Sequence, residues 1–256
     1  SAVSKVFHSG SYVMGTEVLL FEREWAEYCK AHYCVGVSSC TDALYLALKA
    51  TGITGEGIFT TPLTFFATSQ AIIRAGNTPI YIDVDETGNL PPRSFGGRLA
   101  IPVHLYGRPG QWSGERVIED SAQAHGIFLS GLMACFSFYP TKNLGAMGQA
   151  GAVVTNDKNL ADTICELRNY SERERFVHYD ITGNYRMDEL QAAILRVKLP
   201  YLDKWNSQRR ALAGLYAEML KSVGEIVHLP VDAPGHVYHI YAIRCKDRNG
   251  LASYLQ

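Results

Sequence analysis

Residues 134–151 read ACFSFYPTKNLGAMGQAG, and the fold is decided by how this stretch is read. It opens as a short apolar strand, passes Lys142 on the far side, and enters a loop with glycines at 145, 148 and 151. A lysine leaving an apolar strand into a glycine-rich bend is held close to backbone and away from bulk water. Desolvation disfavours the ammonium form and lowers the pKa, which an amine needs to act as a nucleophile or to condense with a carbonyl. A solvated surface lysine is the competing reading, and neighbouring segments must decide.

Residues 116–126, RVIEDSAQAHG, form a short buried strand pattern with Asp120 at its carboxyl end. Ligands of open α/β sheets sit beyond the carboxyl ends of the strands. A carboxylate there, 22 positions before the lysine, suits a pyridoxal 5'-phosphate (PLP) site, in which lysine holds the aldehyde and aspartate pairs with the protonated ring nitrogen. The same aspartate also reads as an N-cap on the segment after it. Residues 35–50, VGVSSCTDALYLALKA, place a Ser/Thr/Asp cluster before apolar positions 43, 44, 46, 47, 48 and 50. That is a helix start, and its free N–H groups with the positive end of the helix dipole offer a phosphate site. Plain capping accounts for the same composition.

Together these segments resemble the PLP-dependent sugar aminotransferases of the DegT/DnrJ/EryC1/StrS family. The resemblance extends through SGSYVMG (9–15), FEREWAEYC (21–29), TPLTFFAT (61–68), IPVHLYG (101–107) and TGNYRMDELQAA (182–193). It implies an α/β protein of PLP-dependent fold type I, aspartate aminotransferase-like. A large domain with a mostly parallel sheet flanked by helices is expected over 1–202, and part of a smaller α/β domain over 203–256. It implies that Lys142 bonds to PLP and shuttles the proton, that Asp120 pairs with the pyridine nitrogen, and that Gln123, one turn on, meets the ring hydroxyl. Phe65 is the expected stacking aromatic, with core packing as its alternative. The N–H groups of Cys40 and Thr41 and the Ser137 hydroxyl are expected to hold the phosphate. Most relatives carry glycine where Cys40 stands. Asn184 is expected to reach the phosphate of a neighbouring subunit, which makes a homodimer with a shared site; a simple turn residue is the other reading.

The implied reaction moves an amino group from L-glutamate to a keto group, C3 by the SFYPTKNLG pattern, of a nucleotide-linked (dTDP) keto-deoxysugar. C4 amination is one alternative. A PLP-dependent sugar dehydratase is another, disfavoured because such relatives replace the lysine with histidine. A non-catalytic relative acting as partner or regulator is the third. His104 and His125 read as hydrogen-bonding groups of strand ends, and Arg186 as either a substrate anchor or the partner of Asp188 or Glu189.

Composition narrows the classes. With 256 residues, 47% hydrophobic and 19% charged, the chain can bury a sizeable core. A net charge of −1 gives no reason to expect nucleic acid or a membrane as partner. Six scattered cysteines, without C-x-x-C or metal-like spacing, point to reduced thiols and the cytoplasm. No targeting segment or long apolar run is seen.

Strands are expected near 33–37, 57–60, 78–84, 99–103, 116–119, 134–138 and 152–155, alternating with helices near 42–50, 68–75 and 160–169. Helical pattern resumes over 188–223, broken at Pro200, with a long helix over 203–223. Strands are expected at 224–229 and 236–244, and a helix starts at 249. The connections at 88–97 and 108–116 are too short and turn-rich for the helices relatives carry there. Relatives also have a longer stretch between Gly126 and Gly131, residues before Ser1 and a C-terminal continuation.

Overall fold

A computed structural model describes residues 1–113, 116–223 and 227–256. In chain order its elements are α1 (Ala2–Ser9), α2 (Thr16–Tyr28), β1 (Tyr33–Val37), α3 (Cys40–Ala50), β2 (Gly57–Thr60), α4 (Phe66–Arg74) and β3 (Thr78–Tyr81). Then come β4 (Arg93–Ser94), β5 (Trp112–Ser113), β6 (Ile118–Asp120), β7 (Met133–Ser137), β8 (Gly151–Thr155) and α5 (Lys158–Leu167). The chain closes with β9 (Glu172–Glu174), β10 (Val177–His178), α6 (Glu189–Lys198), α7 (Leu202–Met219), β11 (Val227–His228), β12 (Arg244–Cys245) and α8 (Arg248–Tyr254).

The central sheet has the order β1-β8-β7-β6, continued by the bridged segment 99–103 and by the parallel pair β2-β3. Segment 99–103 is tied in on both sides: Phe59 N donates to Leu99 O, and Ile118 N donates to Ala100 O. Only β8 runs against the rest, being antiparallel to both β1 and β7. The expected mostly parallel α/β sheet is therefore present.

The strands alternate between two cores. On β7 and β8, Cys135 and Val153 face α3 and α5, while Ala134, Phe136, Ala152 and Val154 face α2 and α6. Period-2 alternation with both faces apolar is the mark of a sheet covered on each side. α3 is apolar nearly all round because it lies between the sheet and α4, with Ala43, Leu44, Leu46, Ala47 and Leu48 fully buried. On the opposite face Trp25 meets Phe136 and Phe138 edge-on at 5.1 Å, a geometry that adds about 0.5–1.5 kcal/mol per pair to area burial.

Several boundaries differ from expectation. α4 starts at Phe66, two residues early, and β3 stops at Tyr81. Pro200 falls in a 3-10 turn (Leu199–Tyr201) between α6 and α7, and α7 ends at Met219. No strand forms over 236–243. Its backbone groups are taken elsewhere: Val237 N donates to Gly107 O, Val237 O accepts from Asn143, and Tyr238 holds a φ of 42°. This segment is a bent strap lying on the sheet end. Of the strand expected at 224–229, residues 224–226 lie outside the described residues, and β11 is its remainder, paired with β12. In the connection after Leu90 the chain makes β4, a two-residue parallel pairing with β5. Among the described residues no helix is long and apolar enough to cross a membrane.

Candidate active site

The loop after β7 is closed by its own backbone. Lys142 N donates to Tyr139 O at 2.9 Å, and Ala146 N donates to Phe138 O at 2.8 Å. A Cβ on Gly145 would stand 2.4 Å from Pro140 O, so only glycine permits this bend. A second close approach lies opposite. A Cβ on Gly151 would be 2.4 Å from the carbonyl carbon of Ser39, and this contact seats the start of α3 against β8. There Ser39 Oγ accepts from Asp42 N, Asp42 Oδ2 accepts from both Ser38 and Ser39 hydroxyls, and Arg74 holds Oδ1 at 3.0 Å. The first-turn N–H groups of Cys40 and Thr41 have no acceptor within their own helix.

These elements surround a cavity of about 570 Å³ at the carboxyl edge of the sheet, within the range that holds small ligands. Lys142, Asp120 and Gln123 line it, as do Phe65, Cys40, Thr41 and Ser137. Phe65 rather than Phe66 faces it, with its ring 78% exposed. Asn184 lies outside, exposed and bridged antiparallel to Asn169, where its Oδ1 accepts from Arg186 Nε at 2.8 Å. Arg186 also donates to Asn169 and pairs with neither Asp188 nor Glu189. Glu189 instead caps α2, accepting from the N–H groups of Gly15, Glu17 and Val18.

Asp120 is buried at the end of β6. Its Oδ2 accepts from Thr68 Oγ1 at 2.7 Å and its Oδ1 from Ala122 N at 3.2 Å. Burial pushes its carboxyl above the usual range, and the Thr68 hydroxyl, the Ala122 N–H and the Lys142 charge pull it back. Burial likewise holds the Lys142 amine below an ordinary lysine, opposed by Cys40 and Asp120. Burial also raises the Cys40 thiol well above its usual value, with the Asp120 charge adding to it; the thiol is neutral there and its small size serves the bend. Gln123 Oε1 accepts from Tyr106 N at 2.6 Å, which fixes the amide so that its NH2 is the group left for the cavity.

The two histidines are committed elsewhere. His104 Nδ1 accepts from Gly110 N and its Nε2 donates to Glu119 at 3.1 Å. His125 is fully buried, donates Nε2–H to Ser137 O at 2.7 Å, and is held down to about 3 by burial and the Lys142 charge. Neither lines the cavity.

Sequence reading missed Thr68. Its hydroxyl is 2.8 Å from that of Thr64, but its carboxylate partner Asp120 is 52 positions away in the chain. Also missed were Tyr139, Thr141 and Gln149, which line the cavity. The donor set fits PLP: a buried carboxylate for a ring nitrogen, an amine with depressed basicity, an aromatic face, and neutral N–H and hydroxyl groups at a helix start for a phosphate.

Residues 1–256 match the DegT/DnrJ/EryC1/StrS aminotransferase family along their whole length. A relative from Streptomyces venezuelae, dTDP-3-amino-3,4,6-trideoxy-alpha-D-glucose transaminase, is 39% identical over 284 residues, covering 100% of this chain and 74% of the relative. Another, from Aneurinibacillus thermoaerophilus, dTDP-3-amino-3,6-dideoxy-alpha-D-galactopyranose transaminase, is 39% identical over 280 residues, covering 99% and 77%. The crystal structure of S. venezuelae DesV in complex with a ketimine intermediate superposes with a TM-score of 0.91 at 37% identity, over 99% of this chain and 75% of that one.

Proposed function

The chain belongs to the DegT/DnrJ/EryC1/StrS aminotransferase family, and from that premise we propose that it uses PLP to transfer an amino group onto the C3 keto carbon of a nucleotide-linked deoxysugar. The nucleotide in this reading is dTDP, as in the names of the two relatives, and the donor is L-glutamate. One observation carries the reading: a lysine amine and a buried aspartate line the same cavity beside the start of α3, whose Cys40 and Thr41 also line it.

PLP, when bound, supplies an electron-withdrawing ring that stabilises negative charge on the amino-bearing carbon. Asp120 holds the proton on the ring nitrogen, and Thr68 keeps that carboxyl ionised against its burial. Gln123 offers its NH2 to the ring hydroxyl. Cys40 N–H, Thr41 N–H and Ser137 Oγ take the phosphate, and Phe65 covers a ring face. Lys142 Nζ is the covalent anchor and moves the proton between the two ends of the transfer. No arginine lines this cavity among the described residues. The phosphate and the substrate anions therefore call on a second copy of the chain, and Asn184, exposed and outside its own cavity, serves the neighbour's site in a homodimer. All six cysteines are free, which suits a cytoplasmic protein.

Borohydride reduction of PLP-soaked protein, followed by peptide mass spectrometry, is expected to fix the pyridoxyl group on Lys142. Glutamate is then expected to bleach the bound chromophore, and a C3-keto dTDP sugar to restore it, with a C4-keto isomer much slower. Absence of a Lys142 adduct would end the proposal. Reaction with the C4-keto isomer alone would move the specificity, and a deoxygenated product without amine transfer would favour the dehydratase reading.

A further inference from the structure

A belt of buried amides runs beneath the cavity. Asn143, the neighbour of Lys142, is 5% exposed; its NH2 donates to Asn206 Oδ1 at 2.9 Å and to Val237 O at 3.0 Å. Its Oδ1 accepts from His239 Nδ1 at 3.1 Å. Asn206, on α7 and 4% exposed, donates its own NH2 to the His125 carbonyl at 2.7 Å. His125 in turn holds Ser137 O. At the other end Val237 N donates to Gly107 O, and the adjacent Tyr106 N is the group that fixes Gln123.

Both amides have only one allowed orientation, because backbone carbonyls at Val237 and His125 accept and never donate. Asn143 uses both its donors and its acceptor, and Asn206 is engaged through both its oxygen and its nitrogen. A pair of amides engaged in this way in a dry interior is rigid, and breaking one strands the other. The belt passes through the residue next to Lys142 and ends at Ser137 and Gln123, while its middle is α7 and the strap at 236–239. None of its members lines the cavity except those two ends.

We infer that Asn143 and Asn206 are positioning residues for Lys142, and that the strap at 236–239, through Val237 and His239, is a working part of the site. This rests on Lys142 being the reacting amine, yet its test does not require PLP. In cofactor-free protein, the rate at which Lys142 reacts with trinitrobenzenesulfonate is followed against pH by peptide mass spectrometry. The titratable groups facing Lys142 are Asp120 from β6, Cys40 from α3, Tyr139 from its own loop, His125, and His239 from the strap. Asn206→Leu alters none of them, so a moved profile reports a moved amine. His239→Phe removes one belt donor at a half-buried position. Because burial and the Lys142 charge hold His239 down to about 4, that change leaves the charge above pH 6 unaltered.

The Lys142 midpoint is expected to rise toward that of an ordinary lysine by about half a unit or more in both variants. The rate of borohydride-fixable PLP attachment is expected to fall about tenfold to a hundredfold, the size of effect that a displacement of about 1 Å produces. Profiles and attachment rates that coincide with wild type in a folded variant, whatever happens to Tm, overturn the inference. Should Asn206→Leu fail to fold, His239→Phe decides alone by the same criterion. A wild-type protein that forms no PLP adduct counts against the transaminase proposal, while its Lys142 profile still tests the belt.

Discussion

Thr68→Val asks how this site keeps a buried carboxylate charged. The substitution preserves shape and removes one hydroxyl, the group that donates to Asp120 Oδ2 at 2.7 Å. Since a carboxylate only accepts, the Thr68 proton points at Asp120, and the Thr64 hydroxyl at 2.8 Å supplies the donor into Thr68. A hydrogen bond to a charged group contributes about 1.5–3 kcal/mol and a neutral one less, so its loss moves the Asp120 pKa further upward. The sign follows from the direction already present. Folding raises the Asp120 pKa, burial outweighing Thr68, Ala122, Lys142 and His104, which lower it. The group therefore costs the cofactor-free fold stability above its unfolded value of about 3.9, and that cost fades as pH falls through the folded value. In the variant the cost deepens. Urea unfolding of cofactor-free protein is expected to show a deficit of about 1.5–3 kcal/mol near pH 8, shrinking near pH 3.5 to the ~0.5–1.5 kcal/mol of a neutral hydrogen bond. The PLP dissociation constant is expected to rise as well, most at the lower pH values, because a smaller share of the variant carries the ionised carboxylate that the ring nitrogen needs. A deficit of equal size across the whole pH series would refute the reasoning, because the hydroxyl would then be packing and not holding charge.

Lys142→Met is expected to remove the pyridoxyl adduct and to stabilise the cofactor-free protein at pH 7. The folded amine sits below its unfolded value, so the unfolded chain binds more protons between the two values, and the gain over wild type should narrow as pH climbs toward 10 in unfolding experiments. Gly151→Ala drives a Cβ to within 2.4 Å of Ser39 C and 2.7 Å of Cys40 N. Backbone cannot yield as a side chain does, so a loss of about 1–3 kcal/mol in urea unfolding is expected, with weaker PLP phosphate binding by titration. Mixing Lys142→Ala subunits with Asn184→Ala subunits, each inactive alone, is expected to recover activity at about a quarter of the sites, since one of the two sites in a mixed dimer carries neither change. Failure to complement would remove Asn184 from the neighbour's site.

What was legible in the sequence was whatever depends on near neighbours. The β7 run and its glycine loop put Lys142 just past a strand end, where it lies, and the Ser38–Asp42 cluster does start α3 on its apolar face. Less legible were features whose partners are remote in the chain. Residues 236–241, HVYHIY, have the composition of a strand, but their hydrogen bonds come from Gly107, Asn143 and Arg209, and those contacts bend the segment away from any ladder. Thr68 read as an ordinary helix residue because Asp120, its partner, is 52 positions away. Asn206 lies in a polar helix pattern that gives no hint that one face is buried. His104 and His125 were read as hydrogen-bonding groups, but nothing in the sequence names Glu119 and Ser137 as their partners, and His125 Nδ1 is buried without one.

The short connections bear on whether this is an enzyme or a trimmed scaffold. The alignment with the S. venezuelae transaminase runs to 284 positions against 256 residues, so that relative carries at least 28 positions this chain does without. Where the chain is abrupt, at 88–97, 108–116 and 126–131, none of the described residues lines the 570 Å³ cavity. The cavity draws instead on residues from the start of α3, the segment leading into α4, the ends of segment 99–103 and of β6, and the closed lysine loop with Gln149. The replacements are also structurally complete at those points. The β4–β5 pairing fills one gap. At another, Glu119 Oε1 accepts from the N–H groups of Ser130 and Gly131, so the shortened turn into β7 is anchored on the strand beside it. Shortening that spares every cavity-lining element removes peripheral surface and not cofactor chemistry. A scaffold released from catalysis would have no physical reason to retain a desolvated lysine and a buried aspartate, each of which costs stability unless something binds between them.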